Sequence, residues 1–344
     1  MKKILTPLLT AAAVCASCAR QPETDTGALK AEALAAYMQK YHPDAVQTAL
    51  GAYIFPADEV AGTGAALADE AYVRVDYTIT DRNGSFSSST IAEVNKSNKN
   101  YSARRYYGPV VRYRGNNALT AGVEQVLTGG GTEFGPMKIG GNRKALIPGW
   151  LFSTAIHDTA EEYYGASSAS EAVYTITLVE AFEDEDVWEK DSLARYIAAY
   201  YPKAVEDTLV GGGWYYVVKK AVADTAHIPS DSTVYCNYIL RDLAGRVIDS
   251  NLEKVARDNG FYSEDATYGP KQINMNSDYT KITMGSSTDD VVDGFANAFL
   301  HMHPNEAGIA IFRSALGYAS RGSGSTIPAY CPLSFEIELV AKEN

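Results

Sequence analysis

Two stretches decide the reading of this chain: Val173-Tyr174-Thr175-Ile176-Thr177-Leu178-Val179 and Ser334-Phe335-Glu336-Ile337-Glu338-Leu339-Val340. In each, an aromatic residue, an isoleucine and a leucine alternate with polar or smaller residues, the period-two mark of a half-buried β-strand. One strand written twice points to a duplication, and the flanks bear this out. Val73-Arg74-Val75-Asp76-Tyr77-Thr78-Ile79 matches Val234-Tyr235-Cys236-Asn237-Tyr238-Ile239-Leu240, again as strands. Further upstream, a shift of 159 residues lays Leu34, Tyr37, Tyr41 and Pro43 on Leu193, Tyr196, Tyr200 and Pro202. Leu, Tyr and Tyr at i, i+3 and i+7 share one helix face, and the proline marks the helix stop. That stripe is expected to pack on a neighbouring sheet. Each copy therefore reads as a leading helix, an antiparallel sheet and a short central helix. The expectation is two α+β domains, 31–183 and 187–344, joined through the acidic run Glu183-Asp184-Glu185-Asp186 as a solvated linker.

A length of 344 residues, 46% of them hydrophobic, suffices for two such cores. The formal charge is −12 and no Lys/Arg-rich run occurs, which argues against nucleic acid as the principal partner. Five His and four Cys leave little room for metal or thiol chemistry. At the start, Lys2 and Lys3 precede a short apolar stretch, Ile4 to Val14, and then Cys15-Ala16-Ser17-Cys18. This pattern resembles a bacterial lipobox. It implies a signal peptide over 1–17, an acylated Cys18, a linker over 18–30, and a chain held at the cell envelope by lipid, on the periplasmic or outer-membrane face. An ordinary secretory signal with incidental cysteines is the other reading. The apolar run is shorter than the ~20 residues of a membrane span.

From Val234 onward the second copy resembles the FKBP-type peptidyl-prolyl isomerases. Tyr238, the turn Asp242-Leu243-Ala244-Gly245 and Val247-Ile248-Asp249-Ser250 match the family's first segment. Asp290-Val291-Val292-Asp293-Gly294-Phe295 is similar to the start of its central helix. Ser314-Ala315-Leu316-Gly317-Tyr318 and the run from Ile327 to Leu339 continue the series without a gap. The first copy is more worn. Met137 to Pro148 resembles the strand after the central helix, while Tyr77, Gly84, Phe86, Leu119, Gly122, Val123 and Tyr174 fit single positions. There Ser87 takes the aspartate position, Ser153 the later tyrosine, and Val123 the usual Trp, so no catalysis is expected in that copy.

The resemblance implies two FKBP-like domains, the more intact site in the second, and proline-containing polypeptides as partners, with no cofactor and no metal. Tyr238, Asp249, Phe295 and Tyr318 would carry catalysis; Ile248, Val291, Val292 and Phe335 would bind substrate. Phe295 would be the floor under the proline ring. The Val292 N–H and the Tyr318 hydroxyl would meet substrate carbonyls, and Asp249 would be a buried group orienting Tyr238. Three departures stand out: Phe295 for Trp, Ile248 for an aromatic wall, and Ala319 for Gly. An insertion of roughly two dozen residues between Asn251 and Tyr279 lies beside the site. A non-catalytic peptide- or protein-binding lipoprotein is the alternative, and glycan stacking by Tyr262, Tyr268 and Tyr279 is a third.

Other signals are weaker. His301 and His303, at i and i+2, point to different helix faces and suit no metal site. Gly129-Gly130-Gly131 and Gly211-Gly212-Gly213 lack the Lys-Ser/Thr of a phosphate loop. Cys236 and Cys331 could pair in an oxidising compartment or stay as buried thiols.

Overall fold

The computed structural model describes residues 26–285 and 289–342, so the signal segment 1–17 and Cys18 lie outside the described residues. The alanine-rich run after Thr26 suits helix α1 (Thr26–Tyr41), which begins inside the stretch expected to be linker. Met1–Pro43 is one compact unit and Asp44–Asn344 another. Within α1, Leu34 and Met38 are buried, whereas Tyr41 is exposed.

The second unit holds two antiparallel sheets. The first contains β1 (Val46–Gln47), β2 (Tyr53–Ile54), β3 (Tyr72–Thr80), β4 (Phe86–Ser89), β5 (Val110–Tyr113), β6 (Asn142–Ile147) and β7 (Ala172–Phe182). Their order is β1-β2-β6-β7-β3-β4, with β5 also on β3. Helices α2 (Ala92–Ser97), α3 (Ala121–Thr128) and α4 (Ala160–Tyr163) accompany it. The chain continues through α5 (Glu185–Tyr200), β8 (Val205–Glu206), β9 (Trp214–Lys220), β10 (Thr233–Asp242), β11 (Val247–Ser250), α6 (Glu253–Asp258) and β12 (Lys271–Asn274). Then come β13 (Thr283–Met284), β14 (Asp289–Asp290), α7 (Asp293–His301), β15 (Ala307–Phe312) and β16 (Leu333–Val340). The second order is β14-β13-β12-β10-β16-β15-β9-β8, with β11 on β10.

The two orders are the same pattern. Strand β3 pairs with β7 so that Tyr77 faces Ile176 and Ile79 faces Tyr174; β10 and β16 set Tyr238 against Ile337 and Leu240 against Phe335. The α+β class with duplicated antiparallel sheets is thus the observed architecture. The supposed insertion after Asn251 is part of the repeat: α6 and β12 have counterparts in α2 and β5. Even its tyrosines recur, because Tyr101 stacks on Tyr107 at 5.1 Å and Tyr262 on Tyr268 at 5.5 Å. The latter pair contact each other and brace their own loop. What lacks a counterpart among the described residues of the first sheet is the short pair β13–β14.

Alternation divides the second core into two faces. Trp214, Tyr216, Ala310 and Phe312 join Phe295 and Phe299 of α7 in one cluster. Tyr215, Ile309 and Ile311 pack with Leu193 and Ile197 of α5 in another. Tyr196 lies partly buried against that cluster, but Tyr200, the last helical residue, is exposed and contacts the Tyr196 ring instead. The sheet-facing stripe is therefore Leu193 with Ile197, and the expected role of the last tyrosine is corrected. The acidic run is also not a linker. Asp184 caps α5 by accepting from the N–H groups of Asp186 and Val187 at 2.9 and 3.1 Å. Glu185 and Asp186 then occupy the first turn, where the helix dipole favours negative charge. Cys236 and Cys331 are buried free thiols, each pushed up to about 12, chiefly by burial.

Candidate functional site

Helix α7 is the element on which the site is built. It is drawn close to the sheet at Gly294, where a Cβ would lie 2.3 Å from Cγ of Phe312. There Trp214 Nε1 donates to the Gly294 carbonyl at 2.8 Å. At the other end of the helix, Asn297 Nδ2 and His301 Nε2 both reach Asp207 Oδ2, at 3.0 and 2.9 Å. Burial opposes the charge on Asp207, yet these bonds outweigh it and hold the carboxyl below its ordinary range. The His301 imidazole is thereby committed to the helix anchor, and no cluster of metal-ligating side chains occurs among the described residues.

A cavity of about 250 Å³ opens above this helix. It is lined by Tyr238, Leu240, Asp249, Met284, Val291, Val292, Phe295, Tyr318 and Phe335. Seven of the eight sequence-expected residues meet here. Phe295 is 2% exposed and its ring contacts those of Phe335 at 4.6 Å and Tyr238 at 5.7 Å, forming the floor. Ile248 does not line the cavity. Successive residues of β11 point to opposite faces, so Asp249 turns to the cavity and Ile248, at 4% exposure, into the core. The expectation for Asp249 also needs correction, since the residue is exposed rather than buried. Its carboxylate accepts the Tyr238 hydroxyl proton at 2.8 Å. Leu240 and Met284 were not anticipated. Leu240 could have been found from its place two residues after Tyr238 on one strand; Met284 sits in a two-residue strand with no periodic signal.

The polar groups have distinct states. Tyr238 is shifted up from the usual tyrosine value by burial and then by Asp249, and Tyr318 in the same direction by the same causes. Both are neutral phenols at physiological pH. Tyr238 donates its hydrogen bond to Asp249, whereas the Tyr318 hydroxyl has no hydrogen-bond partner among the described residues. Val292 is the N-cap of α7, with its carbonyl taken by the N–H groups of Phe295 and Ala296 at 3.0 Å each. Its own N–H meets no backbone acceptor among the described residues. The cavity thus offers an apolar floor and one hydroxyl donor, and Val292, whose N–H meets no backbone acceptor among the described residues, stands in its lining.

The turn carrying Tyr318 is held from α5. Glu189, 2% exposed, accepts from the Ser314 N–H at 2.7 Å and from its hydroxyl at 2.6 Å. Nothing in the sequence of α5 marks this carboxylate, because its partner lies far along the chain.

The first sheet forms a cavity of about 290 Å³ in the corresponding place. Tyr77 and Tyr174 line it with Leu119, Thr120 and Val123. Strand pairing sets Ser88 against Ile79 as Asp249 is set against Leu240, so Ser88 rather than Ser87 takes the aspartate position. Phe152, not Ser153, fills the end near the later tyrosine position.

Residues 225–340 match the family model described as FKBP-type peptidyl-prolyl cis-trans isomerase. The FKBP-type resemblance read from the sequence holds over that span. No curated protein sequence matches the chain. Among solved structures, a peptidyl-prolyl cis-trans isomerase from Pseudomonas syringae is similar at 18% identity and a TM-score of 0.31, covering 45% of this chain and 93% of that one. FkpA from Escherichia coli is similar at 18% identity and 0.31, over 46% of this chain and 59% of that one. The three FKBP domains of wheat FKBP73 align at 13% identity and 0.29, over 84% and 94%.

Proposed function

We propose that the cavity of the second half catalyses cis–trans isomerisation of X–Pro bonds in polypeptides. The observation that carries this reading is the gathering of Phe295, Phe335, Tyr318 and Val292 around one apolar hollow, inside the span that matches the isomerase family.

Rotation about the X–Pro bond is opposed by a barrier of ~18–20 kcal/mol because the planar amide is conjugated. No nucleophile or metal is needed to lower it. A site that holds the twisted amide better than either planar form suffices. Twisting removes the charge separation of the conjugated amide, so an apolar hollow favours the twisted state over the planar one. Phe295 and Phe335 would seat the pyrrolidine ring, with Val291 and Val292 beside it. The Tyr318 hydroxyl and the Val292 N–H would orient carbonyls on either side of the rotating bond. Asp249 would keep Tyr238 turned away from donation to substrate, so that its ring serves as wall.

NMR exchange spectroscopy on a proline peptide tests the reading with the intact protein. Catalysed exchange is expected, and Phe295→Ala should abolish most of it. Exchange at the uncatalysed rate with wild-type protein at high concentration would remove the enzymatic assignment. Peptide binding that persists in Asp249→Ala, with exchange never above background, would leave the alternative, a binding module. Substrates exported from the cell are proposed on the strength of Lys2, Lys3, the apolar run and Cys18. Incorporation of labelled fatty acid that is lost in Cys18→Ser would support an envelope anchor. No helix among the described residues is long and apolar enough to cross a membrane.

A further inference from the structure

The chain is acidic overall, yet one cleft is cationic. Arg105, Arg112 and Arg321 line a hollow of about 460 Å³ where the loop after α2 meets the segment before β16. No Asp or Glu is among its lining residues. Elsewhere arginines are spent on carboxylates, as in Arg74–Glu180, Arg114–Glu124, Arg143–Glu59 and Arg313–Asp186. These three form no ion pair among the described residues; Arg112 makes one bond, to the Val111 carbonyl at 3.3 Å. Hydroxyls of Thr90, Ser320 and Ser325 also line the hollow. Asp76, which does not line it, is occupied as acceptor of the Thr90 hydroxyl at 2.7 Å.

Three arginines lining one cleft with no carboxylate among the lining give it a positive potential that suits an anion. The cleft also adjoins the cavity of the first sheet, since Tyr77 and Arg112 line both. Arg112 is on β5 opposite Val73, where the second half has Ile273 opposite Val234. The one orphan in the adjoining cavity is Thr120 Oγ1, buried without a hydrogen-bond partner among the described residues. An apolar cavity beside an arginine cleft fits a polypeptide with an apolar side chain flanked by carboxylates.

We propose that the first sheet, together with the segment before β16, forms a binding site for acidic, extended polypeptide segments, with an apolar residue in the cavity of Tyr77 and Tyr174 and Asp or Glu side chains on Arg105, Arg112 and Arg321. The worn copy has exchanged the proline floor for charge recognition, and it captures acidic stretches of a chain independently of isomerisation in the second half. Charge-assisted bonds from guanidinium to carboxylate supply the selectivity.

The test is calorimetric titration of the intact protein with a peptide of about ten residues alternating Glu and Leu, an extended repeat that presents one residue type per face, against its Gln-Leu counterpart. The Glu peptide should bind at least about tenfold more tightly, and its affinity should fall as salt rises from roughly 0.05 to 0.5 M. Arg105→Gln/Arg321→Gln, at the cleft rim, should weaken it by about tenfold with unchanged thermal unfolding and unchanged proline isomer exchange. Adding Arg112→Gln should remove the preference over the Gln peptide. Equal affinity for the two peptides, or wild-type affinity in the double variant, would overturn the proposal. So would binding of inorganic phosphate alone, dependent on these arginines, with no binding of either peptide. Because isomer exchange is read separately, loss of one activity does not imply loss of the other.

Discussion

Asp249 and Glu189 are both carboxylates that accept a hydroxyl, and their surroundings give them different duties. Asp249 is exposed and accepts the hydrogen bond of Tyr238, which leaves Tyr318 as the side-chain donor facing the cavity. Tyr318→Phe should therefore slow catalysed isomerisation by about threefold to tenfold, the kinetic equivalent of one neutral hydrogen bond. Tyr238→Phe should have a smaller effect; line-shape analysis of proline peptides compares the two, and equal losses would contradict the assignment of donors. Glu189 is buried, and burial raises its carboxyl above the ordinary glutamate value despite the two bonds from Ser314. The folded state thus holds this proton more tightly than the unfolded chain does. Stability from this group is greatest below the ordinary glutamate range and is lost as pH climbs through the raised value. Urea midpoints followed between about pH 4 and 8 should show that decline, and Glu189→Gln should flatten it. Glu189→Ala, which strands the Ser314 N–H, should cost about 1–3 kcal/mol. Asp249 was legible because it stands in a linear motif. Glu189 was not, because a carboxylate on the sheet-facing side of a helix breaks the expected pattern, and only the fold reveals its partner.

Elements were legible where one periodicity ruled them. Strands β7 and β16 follow from alternation alone, as does the matching of β3 with β10. Ends were less so: α5 starts in the acidic run since Asp184 caps it, a local hydrogen-bond choice that composition disguised as a linker. The segment of α6 and β12 looked like an insertion because it was set against the family's pattern; set against the first copy, Tyr101-Ser102 and Tyr107-Gly108-Pro109 recur as Tyr262-Ser263 and Tyr268-Gly269-Pro270 at the same spacing. The seating of α7 is the element-scale feature with the sharpest consequence. Any side chain at position 294 must displace the buried Phe312 ring, and through it Phe335, whose centroid lies 5.9 Å away in the cavity wall. Gly294→Ala should destabilise the protein by about 1–3 kcal/mol, the usual scale of overpacking. It should also lower isomer exchange, since the Phe295 floor moves with the helix. Gly122 of α3 stands equally close to its sheet, a Cβ there falling 2.2 Å from Ile147 Cγ2. Gly122→Ala should cost similar stability by chemical denaturation while leaving exchange in the second half unchanged.

Across the whole molecule, the two halves are joined by polar contacts that no local pattern announces. Tyr106 N–H donates to the Ser325 carbonyl at 2.8 Å, and Arg246 Nη1 to that of Arg104 at 3.5 Å. Arg104 of the first half lies 4.9 Å over the Phe261 ring and donates to the Ile248 carbonyl at 3.3 Å. Such partners are brought together only after both sheets have formed, which is why duplication was readable in the sequence and the docking of its products was not. The Arg104 contact falls on the residue before Asp249, so the first half helps to fix the strand that orients Tyr238. If that is so, the worn copy contributes to the intact site without any catalysis of its own. Arg104→Ala should speed hydrogen exchange of the Val247–Ser250 amides relative to those of β16. It should also reduce catalysed isomerisation by about twofold to fivefold, less than loss of a direct substrate donor, because only the positioning of Asp249 is loosened. Unchanged protection of β11 in that variant would show that the second half orders its own site and that the first half is tethered for binding alone.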